Sequence, residues 1–107
     1  MDITKRYENL LKLDSTDIND RNRKAMFYLL SCNDDIYRLI DYIYDFNTRD
    51  LIEDVLEKDN VSSSYRAIIK LAFNLFNERP VDVSDVFCNL DSKNFDFVVK
   101  ALEIKYK

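Results

Sequence analysis

Ser64-Tyr65-Arg66-Ala67-Ile68-Ile69-Lys70-Leu71-Ala72-Phe73-Asn74-Leu75-Phe76-Asn77-Glu78 is the stretch on which the fold turns. Its apolar residues recur at three- and four-residue intervals and cover most of a helical circumference through Tyr65, Ile68, Ile69, Leu71, Ala72, Phe73, Leu75 and Phe76, so the spacing predicts a central, deeply buried helix over about 64–78. Ser62 or Ser63 is placed to cap it, and Pro80, the single proline, ends it.

The same helical period extends outward in both directions. Toward the C-terminus, Val81-Asp82-Val83 connects to one or two turns capped by Ser84 and running to Leu90; Asp91 then caps a last helix whose expected inner face is Phe95, Val98, Val99, Leu102 and Tyr106. Toward the N-terminus, a short helix over about 49–58 turns Leu51, Ile52, Val55 and Leu56 inward, with a break at Asn47-Thr48 before it. A preceding helix is capped by Asn33, starts with Asp34 and Asp35 where the helix dipole favours negative charge, and carries Ile36, Leu39, Ile40 and Ile43 as its core stripe. A helix over about 18–31 places Ile18, Ala25, Met26, Leu29 and Leu30 inside. The first helix, over about 3–13, does so with Ile3, Tyr7, Leu10 and Leu11, and Asp14-Ser15-Thr16-Asp17 reads as a cap between the two. The alternation of half-buried strands is nearly absent, no repeat or linker divides the chain, and 107 residues is the usual size of one domain. The expectation is an all-α, single compact domain over residues 1–107, built of five to seven short helices.

Composition excludes much chemistry. With no glycine, the phosphate-cradling turn of a P-loop and the dinucleotide fingerprint are out of reach; with no histidine, the commonest general base and metal ligand at neutral pH is missing. Cys32 and Cys88 are 56 positions apart with no partner set for zinc, and both are expected to be small buried apolar groups. Asp14 to Asp20 fails the calcium-loop spacing at Ile18 and lacks its glycine. Glu103-Ile104-Lys105 with Asp82 imitates a nuclease signature that belongs on strands, whereas here it lies in a segment of helical period. The expectation is no enzyme, no catalytic residue, no cofactor and no metal. The absence of a basic-apolar leader and of an apolar run near membrane-spanning length sets a cytoplasmic expectation, with no membrane partner.

The net charge of −4 is concentrated in the middle of the chain. Residues 1–33 and 58–107 each carry a balance of +1. Between Asp34 and Glu57, eight acids face only Arg38 and Arg49, a balance of −6. On helices, Asp34, Asp41 and Asp45 would lie opposite one core stripe, and Asp50, Glu53, Asp54 and Glu57 opposite the next, with Tyr37 and Tyr44 at a stripe edge and Tyr42 further out. The candidate partner-binding residues are therefore Asp34, Tyr37, Asp41, Tyr42, Asp45, Asp50, Glu53, Asp54 and Glu57. A basic host protein is the expected partner and nucleic acid is not. The competing readings are a solvated outer face, a small nucleic-acid-binding domain using Lys5, Arg6, Arg21, Arg23 and Lys24, and a self-associating protein. The basic group is also accounted for by local pairing with Asp17 and Asp20.

Three stretches add a resemblance: Arg23-Lys24-Ala25-Met26-Phe27-Tyr28-Leu29-Leu30, Ser62-Ser63-Ser64 leading into Ala67 through Phe76, and Leu90-Asp91-Ser92-Lys93-Asn94 with the helix behind it. From about Asp20 onward the chain resembles an uncharacterised family of small proteins carried by phages and mobile elements of low-GC Gram-positive bacteria. That resemblance implies a context, not a chemistry. In such a setting, small acidic proteins often occupy the nucleic-acid-binding surface of a host defence protein, as anti-CRISPR inhibitors do.

Overall fold

The absence of glycine is felt first at the chain's turns. Among the described residues three hold positive φ, Ser15 (55°), Arg49 (57°) and Glu78 (62°), each in a left-handed conformation that glycine adopts without steric cost. Ser15 and Glu78 close helices and Arg49 closes a hairpin loop, so the chain makes its sharpest reversals with side chains attached. The computed structural model describes residues 2–88 and 90–107.

Helix α1 (Ile3–Asp14) begins where Asp2 accepts a hydrogen bond from the Lys5 amide, and it ends where the Ser15 amide returns to the Leu11 and Lys12 carbonyls. Helix α2 (Arg21–Ser31) is capped by Asp20 and buries Ala25, Met26, Phe27, Leu29, Leu30 and Ser31. It packs against α1 and, more extensively, against the two long C-terminal helices, α5 (Ser63–Asn77) and α7 (Ser92–Tyr106). Ser62 caps α5 by accepting from the Tyr65 amide, and Ala67, Ile68, Ile69, Leu71, Ala72, Phe73 and Leu75 are buried. The central helix expected from sequence is thus found, sharing the middle of the domain with α2. Among the described residues, the architecture is all-α apart from one minimal hairpin.

The middle of the chain departs from the expected pair of helices. The first is interrupted: α3 (Asp34–Arg38), capped by Asn33 as expected, stops at Leu39 (φ −89°, ψ 5°), and α4 (Ile40–Ile43) is a single turn. Tyr44 then goes extended, opening strand β1 (Tyr44–Asp45), which pairs antiparallel with β2 (Asp50–Leu51) in the register Tyr44↔Leu51, Asp45↔Asp50. Between them Asp45 accepts from the Asn47 and Thr48 amides, an Asx turn that falls where the Asn47-Thr48 break was read. The expected helix over 49–58 is replaced by β2 and a 3₁₀ turn (Glu53–Glu57), with no side-chain cap. The apolar stripes survive the change: Ile36, Ile43 and Val55 are fully buried, with Leu39, Ile40, Leu51 and Leu56 packed against the core.

Other expectations shift by part of a turn. Ile18 lies before α2 and is 79% exposed. Helix α6 (Val83–Phe87) is capped by Asp82 in place of Ser84. On α7 the inner face is Val98, Ala101 and Lys105, with Leu102 half-buried, while Phe95, Val99 and Tyr106 are exposed. The rotation follows from Lys105, whose Nζ donates to the Leu75 carbonyl at 2.8 Å and so satisfies an open end of α5. Cys32 is buried as expected, and burial pushes its thiol up to about 12; Cys88 is exposed, contrary to expectation, because α6 ends there at the surface.

Candidate functional site

Asp14, the last residue of α1, is the most constrained polar group of the fold. Its side chain is fully buried and accepts from Tyr44 Oη (2.6 Å), Arg49 Nε (3.0 Å), Arg49 Nη2 (3.1 Å) and the Thr16 hydroxyl. Arg23 lies behind this arrangement: it donates to Tyr44 Oη (3.2 Å), to Asp20 (2.9 Å) and to the Arg49 carbonyl (3.1 Å), with its guanidinium 4.8 Å from the Phe76 ring centroid. Burial works to raise the Asp14 carboxyl, and the bonds from Arg49, Thr16 and Tyr44 overcome it, so the group lies below its ordinary value. Burial and the Asp14 carboxylate both push the Tyr44 hydroxyl up. Phe27 (5.0 Å), Phe46 (4.9 Å) and Phe76 (6.3 Å) pack their ring edges against Tyr44. With both oxygens engaged and its side chain closed off from solvent, this carboxylate is a clasp holding α1, α2 and the hairpin together.

That clasp draws Arg49 away from the acidic segment in which the sequence places it. Tyr44, expected at a stripe edge, is buried for the same reason. The other candidate residues divide. Asp34 is neutralised from two sides, by Arg6 (2.6 Å) and Arg38 (2.9 Å), and Arg6 also stacks 5.5 Å from the half-buried Tyr37 ring; these two residues belong to an α1–α3 contact. Glu53 is paired with Arg79. Asp45 serves its turn, and Asp50 accepts from the Leu51 amide. Asp41, Asp54 and Glu57 are exposed and, among the described residues, have no ion-pair partner. The single ridge on one helix expected from sequence is therefore corrected to a shorter strip. In it α4, with Asp41 and Tyr42, packs against the 3₁₀ turn bearing Asp54 and Glu57. Tyr42 is 54% exposed, its ring 5.1 Å from Lys58 Nζ.

Two of the surface grooves gather charged side chains. One of about 530 Å³ lies between the 3₁₀ turn, α5 and α6, where Arg66, Lys70 and Arg79 face Glu53, Asp82 and Asp85 over an apolar floor that includes Phe73 and Val86. Arg66 is turned inward there, donating to the Lys58 (2.8 Å) and Val61 (3.2 Å) carbonyls. Another of about 480 Å³ lies between α1, α2 and α7 and includes Tyr7, Tyr28, Arg21, Lys24, Lys100 and Lys107. Sequence reading found neither groove, because each gathers residues from distant segments. Among the described residues there is no cluster of three or more His, Cys, Asp or Glu side chains placed to hold a metal ion, and no helix is long and apolar enough to cross a membrane.

Fold and surface thus define a small all-α domain whose polar chemistry lies in one buried clasp and in charged surface strips. The chain belongs to a family of unknown function, DUF6075, whose model matches residues 2–107. No curated protein and no solved structure matches it.

Proposed function

We propose that the chain is a non-enzymatic protein-binding module that presents the acidic strip of α4 and the 3₁₀ turn to a basic partner. The observation that carries this reading is that Asp41, Asp54 and Glu57 stay exposed and unpaired among the described residues, beside the exposed ring of Tyr42, after the fold's own arginines have been assigned. Unpaired surface carboxylates steer a cationic partner, and a tyrosine among them supplies contact area at low entropic cost. In the phage or mobile-element setting that the sequence resemblance implies, the partner is a nucleic-acid-handling or defence protein of the host cytoplasm, whose basic surface the strip would occupy. The test is retention from a low-GC Gram-positive host lysate at low and at high salt. A basic protein held at low salt, released at high salt, and not held by the Asp41→Asn/Asp54→Asn/Glu57→Gln variant is the expected result. Equal retention by wild type and variant would overturn the reading.

A further inference from the structure

The groove between α1, α2 and α7 differs from the larger one in the sign of its lining: Arg21, Lys24, Lys100 and Lys107 border it, and no Asp or Glu does. The acids that sequence proximity offers to the first two make no ion pair with them among the described residues. Asp20 is bonded to Arg23, and Asp17 caps its own turn by accepting from the Asn19 amide (2.7 Å). Lys24 Nζ donates to the Ile18 carbonyl (3.1 Å), which leaves its charge uncancelled, and Lys107 is 3.6 Å from Glu103. Arg21 and Lys100 are exposed and, among the described residues, have no ion-pair partner. Three cations without an ion-pair partner among the described residues, Arg21, Lys24 and Lys100, around one concavity on a protein of net charge −4 call for an anion of several charges.

The walls narrow the chemistry. Tyr7 and Tyr28 line the groove and meet edge to face at 5.6 Å, and Ile18 and Ile104 extend the apolar surface beside them. A ligand that fits both features carries phosphates for the cations and a flat ring for the tyrosine wall. We infer that this groove is a binding site for a free nucleotide, its phosphates held by Arg21, Lys24 and Lys100 and its base laid against Tyr7 and Tyr28. A groove of about 480 Å³ is within the size range of small-ligand sites, and the acidic strip elsewhere on the surface disfavours a long polyanion; both favour a free nucleotide over a nucleic-acid strand. This inference stands apart from the acidic-strip reading, since the two share no residue.

The experiment titrates isotope-labelled protein at low salt with ATP, with inorganic triphosphate and with a short single-stranded oligonucleotide, following amide shifts. ATP is expected to shift residues of α1, the start of α2 and the end of α7. The Arg21→Gln/Lys100→Gln variant, changed at two exposed positions and checked for an unaltered melting temperature, is expected to bind about tenfold or more weakly, as losing charge-assisted contacts does. Asp54→Asn is expected to leave ATP binding unchanged. No shift with ATP, or the same affinity in the Arg21/Lys100 variant, would overturn the site. Triphosphate binding as tightly as ATP would overturn the role of the tyrosine wall, and an oligonucleotide binding more tightly than ATP would overturn the choice of a free nucleotide.

Discussion

Asp14 and the carboxylates of the α4–3₁₀ strip are the same chemistry in opposite surroundings. Asp14 is fully buried and surrounded by donors from Thr16 and from Tyr44 and Arg49 of the hairpin, whereas Asp41, Asp54 and Glu57 stand in solvent with no ion-pair partner among the described residues. A buried carboxylate is tolerated only when its donors offset the cost of leaving water, so the first position is dictated by the fold; the second imposes no such demand and is open to selection for binding. Function is therefore to be sought where the carboxylates are unemployed.

That contrast breaks if the two regions respond alike to substitution. The largest effect is expected for Asp14→Ala, which takes the acceptor from the buried Tyr44 hydroxyl and the partner from Arg49: a loss of about 3 kcal/mol in chemical denaturation. Tyr44→Phe keeps the ring packing and removes one donor, and a loss of about 1–3 kcal/mol is expected by the same measurement. At Arg49 the ion pair and the left-handed backbone oppose one another, so Arg49→Ala and Arg49→Gly both lose the clasp, and the glycine variant is expected to be the more stable of the two by about 1 kcal/mol. Changing Asp41, Asp54 and Glu57 singly to their amides is expected to move stability by less than about 0.5 kcal/mol each; a loss comparable to that of Asp14→Ala would place the strip among the structural carboxylates.

Acid sharpens the same comparison. Asp14 lies below its ordinary value in the folded protein, so its contribution is complete above the unfolded carboxylate value of about 3.9 and is lost as pH falls through the lower folded one. The gap in denaturant midpoint between wild type and Asp14→Asn is expected to stay level at neutral pH and to narrow below about pH 4.

Much of the fold was legible from periodicity, because α1, α2, α5 and α7 are long enough for a 3.6-residue stripe to repeat. The caps at Asn33, Ser62 and Asp91 were legible too, each a short polar side chain directly before an apolar run. The segment from Leu39 to Glu57 misled for a physical reason: with only two residues per strand, β1 and β2 are too short to show alternation, and a stripe at Ile36, Ile43 and Val55 fits one helix as well as several turns. The acidic strip was half legible. Its charge was visible in the count, but Arg6 and Arg79 reach it from 28 and 26 positions away, distances at which no local pattern reports pairing. Asp14 looked like an ordinary cap, since nothing beside it in sequence announces Tyr44 and Arg49. The lysine on the inner face of α7 was hidden by its charge, which argues for solvent until the open carbonyl of Leu75 is seen beneath it.

The Asp14–Arg49 clasp also bears on how the molecule comes apart. A two-stranded ladder of two residues each has no stability of its own. Here it is tied by Arg49 to the end of α1 and through Arg23 to α2, across 35 and 26 positions of chain. Opening the hairpin therefore requires breaking its ties to both helices, so its ladder amides, with that of Ile52 bonded to the Ile43 carbonyl, are expected to exchange with solvent deuterium at the rate of whole-domain opening, as those of α2 are. In Arg49→Ala, that segment becomes a separate, faster-opening unit while α2 and α5 keep their protection.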